Sequence, residues 1–215
     1  MEAQDVAADW RRQRRKGIGA IAVSAAVAAA LWLAIRHLAP PLAEMETVAD
    51  RLIFAFKCWC LAVFFCLAMG VEAVAHERLQ SPAFDPLAGY ETRRLRVNQR
   101  YLQNTLEQLI LFTAALFGLA LYSDGGDGMR AVEATAFVWI LFRFVFWIGY
   151  HCSAAMRGLG APGLMLSLIV LAYVVVRIGL DLGGPVAAAG AMGLFLAIEA
   201  VLFRTTRARP GGGEP

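Results

Sequence analysis

The chain has 215 residues, a formal net charge of +3, and 59% hydrophobic against 17% charged residues. That length suits one ordinary domain, but the apolar excess excludes a water-soluble one and predicts an integral membrane protein. The small positive charge does not by itself call for a nucleic-acid partner.

The apolar residues fall in six blocks, each near the ~20 residues that carry a helix across ~30 Å of hydrocarbon. The first, Gly17 to Ile35, holds no charge and follows the basic cluster Arg11, Arg12, Arg14, Arg15 and Lys16. It is longer than a signal-peptide core and no small-x-small cleavage site precedes Pro40, so it reads as a retained anchor. The second, Leu52 to Ala75, holds Lys57 and Glu72; the third, Tyr101 to Tyr122, holds Glu107. Ser123-Asp124-Gly125-Gly126-Asp127-Gly128 then has the chemistry of a chain reversal. The fourth, Ala131 to Cys152, holds Arg143 and ends at the glycine-rich run 158–163. Blocks five and six, Leu164 to Leu180 and Pro185 to Phe203, flank Asp181-Leu182-Gly183-Gly184.

Basic residues crowd alternate connections: the cluster before Gly17; Arg78, Arg93, Arg94, Arg96 and Arg100 in 76–100; Arg157; and Arg204, Arg207 and Arg209. The intervening connections are nearly free of them, which predicts six crossings with both termini in the cytoplasm. Loop 76–100 is accordingly read as a topological determinant, with no nucleic-acid role. Richness in Ala, Gly and Arg points to a bacterial inner membrane. Cys58, Cys60, Cys66 and Cys152 form no metal-ligand pattern, and His37, His76 and His151 fall at helix ends, so no metal site is expected.

Ionised groups within a membrane helix imply a partner, a wet cavity or a polar ligand. Arg100, Asn104 and Glu107 recur at i, i+4 and i+7 and so share a face of the third span. Arg143, Tyr150 and Arg157 recur by sevens, drifting about 20° per heptad, and share a stripe on the fourth if its helix continues past His151. At ~1.5 Å per residue, Glu107 and Arg143 lie roughly 10 and 12 Å from the cytoplasmic ends of their helices. An antiparallel pairing would bring them together. Two explanations remain open on geometry: a buried ion pair that fixes helix register, or a polar pocket opening to the cytoplasm.

In the setting Arg100-x3-Asn104-x2-Glu107, followed on the next span by Arg143-x6-Tyr150-x6-Arg157-Gly158, the sequence resembles the family of membrane-associated proteins in eicosanoid and glutathione metabolism (MAPEG) over roughly residues 52–180. The resemblance implies a four-helix membrane bundle assembled as a homotrimer, with glutathione held between adjacent subunits near the cytoplasmic face. It makes Arg100, Asn104, Glu107 and Tyr150 glutathione contacts, Arg143 a residue shaping the pocket, and Arg157 the catalytic group beside the sulfur. A permanently charged guanidinium there favours the thiolate, which attacks a lipophilic electrophile or reduces a lipid hydroperoxide.

Two positions depart from the family pattern. Phe146 stands where many active members carry a basic or hydroxyl-bearing side chain, and Gln103 where some are basic. They favour an alternative in which the protein is a non-catalytic lipid-binding or structural subunit of a larger membrane complex. A solute or proton pathway through Glu107 and Arg143 is a third reading. The expected organisation is a basic segment and extra anchor in 1–50, the four-helix core in 51–182, and an extra helix with a disordered tail in 183–215.

Overall fold

The computed structural model describes residues 3–153 and 155–206, with side chains from Arg11 onward. Arg207, Arg209 and the tail expected to be disordered lie outside the described residues. Within them every regular element is a helix: α1 (Ala3–Leu38), α2 (Val48–Ala62), a π-helical turn (Val63–Ala68), α3 (Met69–Leu79), α4 (Arg93–Leu121), α5 (Gly125–Cys152) and α6 (Ala161–Thr205), with 3-10 turns at Pro82–Phe84 and Met156–Gly160. Five stretches are long and apolar enough to cross a membrane: Arg11–Leu38, Val48–Leu79, Arg93–Leu121, Gly125–Cys152 and Met156–Thr205. The protein is all-helical and integral to the membrane.

The helices begin where local chemistry tells them to. Thr47 caps α2 in a capping box with Asp50, and the Thr92 hydroxyl accepts from the Leu95 amide at 3.0 Å to start α4. That cap puts the start of α4 eight residues ahead of the apolar block, and Arg93, Arg94, Arg96 and Arg100 suit a helix that has not yet entered hydrocarbon.

The chain divides into two compact units, Met1–Leu171 and Ala172–Pro215. In the first, α4 packs against α2, α3 and α5, while α1 packs against α5 and the turn Met156–Gly160. Lipid tails are as apolar as leucine, so membrane helices gain little from burying apolar surface against each other and rely on packing and interhelical hydrogen bonds. Three tryptophans supply such bonds. Trp32 Nε1 donates to Thr135 Oγ1 at 3.0 Å, Trp59 Nε1 to Thr113 Oγ1 at 2.9 Å, and Trp147 Nε1 to Asn98 Oδ1 at 2.9 Å. They tie α1 to α5, α2 to α4, and α5 to α4. Each is worth about 0.5–1.5 kcal/mol net. At the opposite end Asp127, in the first turn of α5, pairs with Arg36 of α1 at 3.2 Å and with Arg130.

In the second unit, residues 172–205 continue α6 through a break. Gly183 and Gly184 are non-helical, and Gly184 takes φ +65°, a conformation that disfavours any side chain. A Cβ on Gly179 would lie 2.7 Å from Ala188 Cα. In a straight helix those residues would be about 13 Å apart, so the chain doubles back here, with Pro185 opening the second arm.

Candidate functional site

On α4, Tyr101, Thr105, Gln108 and Phe112 recur at i, i+4, i+7 and i+11, and all are buried. This is the face turned to α5. Arg143 reaches it from α5 and is 0% exposed. Its Nη1 donates to Asn104 Oδ1 at 3.1 Å and to Gln108 Oε1 at 2.8 Å, and its Nη2 donates to Thr105 Oγ1 at 2.8 Å. The guanidinium carbon lies 4.6 Å from the Phe146 ring centroid, 5.3 Å from that of Tyr101 and 6.0 Å from that of Trp139. Among the described residues no carboxylate is its partner. Neutral acceptors and aromatic faces carry the cost of burying this charge.

The antiparallel pairing of Glu107 with Arg143 expected from their depths does not form. The depths match, but position 107 is about 100° around the helix from 108 and faces away from α5. Glu107 instead belongs to an exposed strip on α4. Arg100 Nη1 donates to Gln103 Oε1 at 3.4 Å, and Gln103 Nε2 donates to Glu107 Oε1 at 3.1 Å. Arg100, Gln103 and Glu107 are all exposed, with Leu106 and Ile110 beside them. Half-buried Asn104 stands between strip and sealed face. The spacing of Arg100, Asn104 and Glu107 therefore does define one side of α4, and of the three only Asn104 also reaches Arg143.

Tyr150 and Arg157 meet by a route other than the one expected. Helix α5 ends at Cys152, so Arg157 does not continue its stripe. The chain turns back on itself: the ideal Cβ of Gly149 would strike the Met156 carbonyl, and that of Gly160 would overlap Phe146. Only glycine permits these approaches. They place the Arg157 guanidinium 5.6 Å from the Tyr150 ring centroid, with Arg157 exposed and Tyr150 half-buried. Phe146 is the hinge between the groups, 5.7 Å from the Tyr150 ring and packed on Arg143.

Several participants carried no signal in the motif spacing. Gln108 and Thr105 hold Arg143, and Tyr101 is fully buried; its hydroxyl donates to the Cys66 carbonyl of the π-helical turn at 3.1 Å. The period of 101, 105, 108 and 112, polar at two of four positions, is the pattern that marks them. At the basic end, Asn98 Oδ1 also stands 3.0 Å from His151 Nε2, and Arg93 donates to the His151 carbonyl at 2.9 Å. Among the described residues no three His, Cys, Asp or Glu side chains stand together as metal ligands. All four cysteines are free thiols.

An apolar cavity of about 350 Å³ lies between α1, α5 and the start of α6, lined by Ala25, Ala28, Ala29, Val138, Met165 and Ile169 among others. The Trp32 indole N–H beside it is already given to Thr135.

No curated protein matches the chain, and no solved structure does. The MAPEG family model matches residues 52–179, which takes in α4, α5, the turn carrying Arg157, the strip from Arg100 to Glu107 and the partners of Arg143. The match extends over more than half of the sequence, and the chain belongs to the MAPEG family.

Proposed function

We propose that the protein is a membrane-bound, glutathione-dependent transferase or peroxidase acting on lipophilic compounds. The observation that carries this reading is the strip Arg100, Gln103, Asn104 and Glu107 on the outward side of a membrane-spanning helix, next to exposed Leu106 and Ile110. Charged groups at this depth need a polar partner. A tripeptide with two carboxylates and one ammonium group matches a strip that offers a guanidinium, two amides and a carboxylate.

The reading extends to assembly. A strip exposed on one chain is covered when a second copy docks, so the glutathione site lies between adjacent subunits of a homotrimer. Two arms of α6 meeting at Gly183-Gly184 make six crossings, with 51–182 as the four-helix core and both termini in the cytoplasm of a bacterial inner membrane.

In this mechanism Arg157 faces the glutathione sulfur. Its fixed charge favours the thiolate, the thiol proton passing to water. The sulfur then forms a bond to an electrophilic carbon as the leaving group departs with its electron pair. With a lipid hydroperoxide, the thiolate takes the distal oxygen as the O–O bond breaks and the lipid alkoxide leaves and takes a proton from water to become the alcohol; a second glutathione thiol then attacks the resulting sulfenic acid, giving the disulfide and water. Tyr150, beneath Arg157, holds the guanidinium by its ring face. The test is turnover in proteoliposomes with an aryl halide and with a lipid hydroperoxide. Glutathione-dependent consumption of either, lost in Arg157→Ala, is expected; inertness toward both contradicts catalysis.

A second reading, a non-catalytic lipid-binding subunit, is favoured by the apolar cavity alongside α1. It is of ligand-pocket size and presents no unspent hydrogen-bonding group. Lipid retained by the purified protein and displaced by Ala28→Phe, without glutathione turnover, distinguishes it.

A further inference from the structure

We propose that Arg143 is a positioning residue: it locks the Asn104 carboxamide with its oxygen inward, so that the NH2 group is a fixed donor at the edge of the exposed α4 strip. This rests on reading the strip as the ligand site.

The argument begins with what a guanidinium can do. It has donors only. Whatever atom of Asn104 faces Arg143 Nη1 at 3.1 Å must accept, so it is the oxygen. The same holds for Gln108, whose oxygen takes the other Nη1 hydrogen at 2.8 Å. Once Gln108 is oriented, its amide nitrogen donates to Asn104 Oδ1 at 3.1 Å. The Asn104 oxygen then has both lone pairs filled, by Arg143 and by Gln108 one helical turn away. Reversing either amide would set two donors against each other beside a buried cation. Of the four possible combinations of amide orientation, one satisfies both inward-facing amide oxygens and Arg143 Nη1.

The consequence appears on the other side of Asn104. Its NH2 donates to no group among the described residues, and Asn104 is half-buried between the sealed face and the strip. The strip therefore presents two fixed donors, the Arg100 guanidinium and this amide, ahead of the Glu107 carboxylate. A ligand carboxylate or carbonyl oxygen fits at Asn104. An ammonium or alcohol donor does not. Arg143, fully buried and with both Nη1 hydrogens spent, acts on the ligand through Asn104 alone.

The decisive variant is Gln108→Glu. The new carboxylate keeps the bond to Arg143 and gives the buried cation a counter-charge, so the fold stays at least as stable. It cannot donate to Asn104, and its carboxylate oxygen repels the Asn104 oxygen, so the amide loses one of the two bonds that fix it and competes with the carboxylate for Arg143. Two readouts separate the claims. Side-chain amide NMR of Asn104 in nanodiscs is expected to show one ordered amide in the parent and a reoriented or mobile one in Gln108→Glu, whether or not any ligand binds. Glutathione affinity is expected to fall about tenfold or more, the loss of one hydrogen bond to a charged group, with the melting temperature unchanged or raised. An Asn104 amide already mobile in the parent, or unaltered in the variant, overturns the positioning role; so does unchanged affinity in a variant that has reoriented the amide. If the parent binds no glutathione yet shows the ordered amide and its response to Gln108→Glu, the positioning stands and the glutathione reading fails.

Discussion

Arg157 lies with its guanidinium 5.6 Å from the Tyr150 ring centroid, although the helix that carries Tyr150 ends five residues before Arg157. The contact exists because the 3-10 turn Met156–Gly160 doubles back over the last turn of α5, at two glycines that admit no side chain. A charge carried on a turn and steadied by an aromatic face is well suited to meet a thiol at a membrane surface.

Replacing Arg157 by alanine is expected to lower glutathione turnover about a hundredfold while changing affinity less, because the charge acts on the thiolate more than on the bound peptide. Without the cation the thiol returns toward its ordinary value, about 8.5 for a cysteine-type thiol. The variant's rate should therefore climb with rising pH through that region, where the parent has already reached its plateau. Parallel pH–rate profiles check this, and Arg157→Lys should recover part of the loss.

Gly160→Ala places a methyl group on the Phe146 backbone and displaces the turn. The expected result is a clear loss of turnover, with a drop in melting temperature of a few degrees. Both fall within one protein preparation assayed for activity and by thermal scan.

Arg143→Met leaves the Gln108 carbonyl without its buried donor, at about 1–3 kcal/mol, and leaves Asn104 Oδ1 with Gln108 alone. A strongly reduced melting temperature is expected in detergent. Asn104→Asp, which supplies the missing counter-charge, should hold or raise it while weakening glutathione binding.

How much of this was legible in the sequence follows helical geometry. The i, i+4, i+7 spacing correctly placed Arg100, Asn104 and Glu107 on one side of α4, and composition correctly made the chain an all-helical membrane protein. What spacing does not give is the direction that side faces. Depth arguments paired Glu107 with Arg143, but helix rotation, set by the buried run Tyr101, Thr105, Gln108 and Phe112, turned Glu107 outward. The start of α4 was set by the Thr92 cap, which an apolar count does not see. Arg157 reached Tyr150 through tertiary contact at Gly149 and Gly160, beyond what periodicity encodes.

Trp32→Phe removes the hydrogen bond to Thr135 that ties α1 to α5. It is expected to lower stability by about 0.5–1.5 kcal/mol and leave glutathione turnover near the parent value, since α1 lies outside the family match. Denaturation midpoints and initial rates check the two halves separately.

The central claim, that the α4 strip receives glutathione, is tested most directly by the melting temperature of the purified protein with and without glutathione, for the parent and for Arg100→Ala and Glu107→Ala. Ligand that binds only the folded state raises that temperature. The account predicts a concentration-dependent rise in the parent and none in either variant; no rise in the parent, or an equal rise in all three, contradicts it.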